Sequence, residues 1–165
     1  MVGRALLVGM LLAANALADD RVRGSVEVNA GLGWLLEGHQ SSGRTGMASI
    51  GLSGGLRPSS RISVSCRVTA NFVSRSGFMG TIGPEVELWL NDYTAIAAAL
   101  GHSWSLPLGE SAYRASDFSF GGRVSVAPAG GSGVNFSAEA LSLTRDYDDR
   151  TALATLTFMV GYDWF

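Results

Sequence analysis

Lysine is missing from this 165-residue chain, and all 12 of its basic residues are arginines. Charge of either sign is scarce, at 16% of residues against about a quarter in an ordinary globular chain, and the formal net charge is −2. A broad polyanion-binding face, such as nucleic acid needs, is thereby not expected. Cys66 is the single cysteine, so no internal disulfide can form. No second Cys or neighbouring His supplies metal-ligand spacing, which excludes a structural zinc site. Nucleotide-binding loops and haem motifs are missing too, and no metal or other cofactor is expected. The longest apolar run, Ala5 to Ala14, is too short for a membrane-spanning helix, which needs about 20 such residues.

That short run has another reading. Arg4 precedes it, and Ala16-Leu17-Ala18 lies between it and Asp19-Asp20. Small residues spaced in this way before a charged start look like a secretory signal peptide, residues 1–18, cut after Ala18. Residues 19–165 are then one domain, exported across the inner membrane. No cysteine stands at the cut, so a lipid anchor is not expected.

After Asp20 no window keeps a helical period, whereas apolar and small or polar residues alternate again and again, which is the signature of strands. Val26, Val28, Ala30, Leu32, Trp34 and Leu36 make one face of a first strand, opposite Glu27, Asn29, Gly31 and Gly33. Further strands run through Ala48 to Leu56, Ile62 to Phe72, Ile82 to Leu90, Ile96 to Trp104, Phe118 to Val126, and Leu156 to Trp164. In the seventh, Val134, Phe136, Ala138 and Ala140 start one apolar face, but Leu141 and Leu143 fall on the other. A bulge or register change is expected there. The sequence thus reads as all-β, an eight-stranded antiparallel up-and-down barrel. Its links alternate, with short turns at Arg57 to Ser60, Asn91 to Asp92 and Ala129 to Ser132. The others are longer: Glu37 to Arg44, Arg75 to Gly80, Leu106 to Ser116 and Arg145 to Arg150. Such asymmetry fits a membrane barrel with periplasmic turns and extracellular loops.

A soluble, lipocalin-like barrel would turn the apolar face inward. Side-chain size decides against it, because eight strands enclose a space only just wide enough for side chains to fill. The polar face is rich in Gly, Ser, Ala and Thr, and its few charges could not cover a soluble exterior. The apolar face is therefore expected to look out into lipid. Trp34, Trp104, Tyr162 and Trp164 lie toward strand ends, where aromatic girdles sit.

Taken together, the signal peptide, eight alternating segments, turn asymmetry and terminal aromatics resemble those of small eight-stranded outer-membrane barrels of Gram-negative bacteria. These include the transmembrane domain of outer-membrane protein A and barrels of the OmpX and Ail type. The resemblance implies a porin-like fold in the outer membrane, surrounded by its lipids and lipopolysaccharide, and a monomer. It also implies that Phe165 is the terminal signal read by the barrel-assembly machinery. Phe165 is out of phase with Trp164, Tyr162, Val160 and Phe158, so either Trp164 is the anchor or the last residue bends out of register.

Glu27, Arg67, Glu85, Glu87, Arg123 and Glu139 are expected inside the lumen as an ion-pair network that plugs it, since an unpaired buried charge is costly. Arg67 is expected to pair with Glu85 or Glu87, and Arg123 with Glu139. The same groups exchanging partners would make a narrow gated pore. His102, followed by Ser103, Ser105 and Glu110, is the weak catalytic candidate. Outer-membrane lipid A deacylases carry a Ser-His-Glu type site on such an outward surface, but their His and Ser are two apart on one face. Here the only His-x-Ser is His39-Gln40-Ser41, in a loop. The leading function is therefore non-enzymatic. Asp146-Tyr147-Asp148-Asp149-Arg150 and the loop residues Arg44, Arg75 and Arg114 are candidates to meet divalent cations or lipopolysaccharide phosphates.

Overall fold

The computed structural model describes residues 22–38, 44–74, 77–107, 118–130, 133–143 and 152–164. The expected signal peptide, Phe165, Arg75, Arg114, Glu110, the His39-Gln40-Ser41 stretch and the Asp146-to-Arg150 cluster lie outside them.

Period-two alternation becomes eight strands in chain order: β1 (Arg23–Gly38), β2 (Arg44–Ser59), β3 (Ile62–Val73), β4 (Gly77–Trp89), β5 (Thr94–Pro107), β6 (Ser119–Val126), β7 (Gly133–Leu143) and β8 (Ala152–Trp164). Each pairs antiparallel with the next, and β8 returns to β1, so the sheet is a closed barrel. Closure matters physically because a sheet in hydrocarbon has no water to satisfy a free edge. At the closing seam Val28 stands between Leu52 on β2 and Tyr162 on β8. Gly31 and Gly33 permit this seam. A Cβ on either would lie 1.9 Å from the Phe158 carbonyl oxygen or 2.1 Å from that of Leu156.

The two faces separate completely. On β1, Leu32 is 71% exposed, while Leu35, on the opposite face, is fully buried. An outward belt of Val26, Leu32, Ile50, Leu52, Phe72, Ile82, Leu100, Phe120, Phe136 and Phe158 surrounds the wall. Buried Ser, Thr, Asn, Glu and Arg line the inside.

Three expectations are corrected. β7 has no bulge: its register runs unbroken from Gly133 to Leu143 against β8, and from Phe136 to Leu143 against β6. Leu141 and Leu143 keep the inward parity and are buried, because the lumen is apolar at that height. Among the described residues the one register shift lies between Leu56 and Ser59, opposite Ile62, where β2 runs into its turn. The link after β3 is not long, since β4 already begins at Gly77. Arg57 belongs to β2, and the first turn is Ser60 and Arg61.

Candidate functional site

The lumen is built in layers. At the turn end Trp89, Ala95 and Ala127 form an apolar floor. The Arg57 guanidinium lies 4.7 Å from the centre of the Trp89 ring, a cation–π contact, and donates a 2.6 Å hydrogen bond to the Ser60 carbonyl.

Above the floor lies the charged layer. Arg67 Nε donates to Glu139 Oε2 at 2.8 Å and lies 3.8 Å from Glu85 Oε2, while Nη1 is 3.6 Å from Glu27 Oε2. Arg123 Nη1 donates to Glu27 Oε1, and Nη2 donates to Glu85 Oε1 at 2.9 Å and to Glu87 Oε1 at 3.4 Å. Glu27 and Glu85 therefore each reach both guanidiniums. Glu87 also accepts from Ser63 Oγ at 2.9 Å and from Trp89 Nε1 at 3.1 Å, which ties the charged layer to the floor. Gly51 makes room: a Cβ there would lie 2.2 Å from Asn29 Oδ1 and 2.8 Å from Arg67 Nη2.

The expected pairing of Arg123 with Glu139 does not form. The two are register partners on β6 and β7, yet Arg123 reaches across to β1 and β4 and leaves Glu139 to Arg67 of β3. Arg67 contacts Glu85 as expected, but Glu139 more closely, and forms no salt bridge with Glu87. In so narrow a barrel the opposite wall is within reach of a guanidinium. Asp163, facing Glu27 across the closing seam, joins this layer through a 2.7 Å hydrogen bond from Asn135 Nδ2.

Toward the loop end the lining turns neutral, with Ser49 Oγ donating to Asn71 Oδ1 at 2.6 Å and the Thr69 and Thr81 hydroxyls 2.5 Å apart. Above these, Leu35, Met47, Val73, Met79 and Leu143 close into an apolar cluster. Sequence reasoning missed this cap. Its signal was present, since all five occupy inward parity at the loop ends of β1, β2, β3, β4 and β7.

The outer wall carries the remaining candidates. Trp34 stands edge-on to Phe158, with ring centroids 6.2 Å apart, toward the loop end. Trp104 is on the same side, and a Cβ on Gly80 would lie 2.3 Å from its ring. Tyr162 and Trp164, 4.6 Å apart, are at the turn end. His102 is exposed on the outer face and stacks on Trp104, centroids 6.4 Å apart and planes 23° from parallel. Ser103 points the other way and is buried in the lumen, so the wall separates it from His102. Among the described residues no three His, Cys, Asp or Glu side chains are grouped to hold a metal ion.

No protein-family description matches the chain, and no curated protein matches its sequence. Solved structures do match its fold. Neisserial surface protein A aligns with a TM-score of 0.63 at 14% identity, over 87% of this chain and 98% of that one. Ail, the attachment invasion locus protein of Yersinia pestis, aligns at 0.59 and 14% identity, over 86% and 99%. Ail in complex with the heparin analogue sucrose octasulfate aligns at 0.60 and 11% identity, over the same shares. The chain has the fold of these small eight-stranded outer-membrane β-barrels.

Proposed function

We propose that this chain is a non-enzymatic integral protein of the bacterial outer membrane, monomeric, with a closed lumen and with loops that meet lipopolysaccharide or the cell's surroundings. The observation that carries the reading is the continuous apolar belt around a barrel whose mid-wall charges, Glu27, Arg67, Glu85, Arg123 and Glu139, are buried inside. In water such a belt would far exceed the exposed apolar patches that soluble monomers tolerate, whereas in lipid it is the expected outer surface. Trp34 and Trp104 at one end, and Tyr162 and Trp164 at the other, serve as the interfacial girdles. Glu27, Arg67, Glu85, Glu87, Arg123 and Glu139 plug the lumen rather than line a path through it.

The loop end is the side facing outward, and Arg44, exposed at the start of β2, is one of its phosphate-facing candidates. The complex of Ail with a sulfated sugar supports a polyanionic partner of this kind for a barrel of the same fold. Assembly through the outer-membrane insertion machinery and export by a cleaved leader complete the reading.

Expression in an outer membrane followed by heat-modifiable electrophoresis, with planar-bilayer conductance of the purified protein, tests barrel and closure together. A band that shifts on boiling and a silent bilayer are expected. A porin-like steady current refutes the closed lumen. Replacing His102 by Ala is expected to leave lipid A acylation unchanged by mass spectrometry, and a change would favour the hydrolase.

A further inference from the structure

The wall has one irregularity far from its ends. Pairing of β4 with β5 runs from Gly77 to Ile82 and resumes at Glu85, skipping Gly83 and Pro84 opposite Leu100 and Gly101. Pro84 has no N–H to give to a ladder, and prolines are otherwise confined to sheet edges and strand ends. The position of the facing carbonyl can be read from the glycines. At Gly33 a Cβ would lie 2.1 Å from the Leu156 oxygen, and the next residue, Trp34, is the register partner of Leu156. At Gly83 the corresponding oxygen is that of Leu100, 1.9 Å away, and the next residue is Pro84. The Leu100 carbonyl is thus turned toward a residue that cannot donate. In a wall surrounded by lipid an unsatisfied carbonyl costs several kcal/mol.

A cavity of about 20 Å³ lies behind this gap, lined by Gly83, Leu100 and Gly101 of the seam and by Thr81, Arg67 and Glu139 within the lumen. Arg67, one of the lining residues, is buried, and its Nη1 makes no hydrogen bond, only the 3.6 Å ion-pair contact with Glu27 Oε2. A cavity holds a water when it offers at least about 10–15 Å³ and two to four polar partners. This one offers the volume for a single molecule, and polar residues line it beside apolar Ile82, Ala99 and Leu141: Thr81, Ser119, Arg67 and Glu139 within the lumen and the Leu100 backbone in the wall.

We propose that one water molecule occupies this cavity and stands in for the N–H that Pro84 lacks, donating to the Leu100 carbonyl and joining it to the Arg67–Glu139 pair. The water is a structural ligand of the wall, held where the ladder is broken.

Crystal structures of the wild type, Ala99→Val and Pro84→Ala, at a resolution that shows ordered solvent, test this. Ala99 lines the cavity, so Val is expected to fill it and remove the water from a folded barrel. If that variant fails to fold, Ala99→Ser offers a hydroxyl in the same place and the same loss is expected. In Pro84→Ala the new N–H takes the Leu100 carbonyl, and the water leaves or turns away from it. An empty cavity in the wild type overturns the proposal. So does a water that keeps its contact with the Leu100 carbonyl in Pro84→Ala, or that survives in the filled variant.

Discussion

The two halves of the lumen are closed by opposite chemistry. Toward the turns, Arg67 and Arg123 bridge carboxylates from β1, β4 and β7, and every contact depends on its partners being present. Toward the loops, Leu35, Met47, Val73, Met79 and Leu143 close by packing alone. Charge gives direction and register but tolerates no missing member, since a buried ion without its counterion is strongly destabilising. Apolar packing tolerates rearrangement and excludes water without any pairing. The barrel is therefore shut twice in series, so removing one closure leaves the other in place.

The difference is sharpest in stability. Arg123→Ala leaves Glu87 without a guanidinium and Glu27 and Glu85 with only the longer contacts to Arg67, and the barrel is expected to lose about 3–5 kcal/mol in urea unfolding from lipid vesicles. Adding Glu27→Gln and Glu85→Gln is expected to restore part of that loss, and strictly additive losses would argue against the network. In the apolar cap, Leu143→Ala leaves only a cavity, and a loss of about 2–4 kcal/mol is expected by the same assay. Arg67 and Glu139, whose side chains touch at 2.8 Å, are expected to show a coupling of about 1–3 kcal/mol in a double-mutant cycle. Glu87→Gln keeps acceptors for Ser63 and Trp89 and is expected to cost only about 1 kcal/mol.

Conduction sets the two closures against each other directly. Cutting back Trp89 and Arg123 opens the turn half only, and such a protein is expected to stay silent in planar bilayers. Current is expected only when Leu35, Met47 and Leu143 are also reduced to Ala or Gly, because a dry apolar constriction blocks ions by itself.

The wall was legible in the sequence because strand geometry repeats every two residues and one face meets lipid. Val64, Cys66 and Val68 against Ser65, Arg67 and Thr69 carry that signal without any tertiary information. The inward position of the charged residues followed from the same parity. Their partners did not, since periodicity says which face Arg123 occupies but not how far across the lumen it reaches. The apolar cap was hidden for a related reason. An inward Leu contradicts the expected polar lining, so Leu141 and Leu143 read as a slipped register until the matching positions on four other strands were seen to converge. Reading by alternation passed over Pro84 within β4, and the consequence of that proline needed the position of Leu100.

Collision accessibility of spin labels tests the central claim, that the apolar face meets lipid and the polar face is sealed inside. With Cys66 replaced by Ala, labels at Val64 and Val68 in reconstituted barrels are predicted to be relaxed by oxygen and little affected by a water-soluble nickel complex. Labels at Ser65 and Thr69 are predicted to be sheltered from both. Nickel relaxation at Ser65 and Thr69, with Val64 and Val68 sheltered, would contradict this orientation and establish a soluble barrel with its apolar face turned inward.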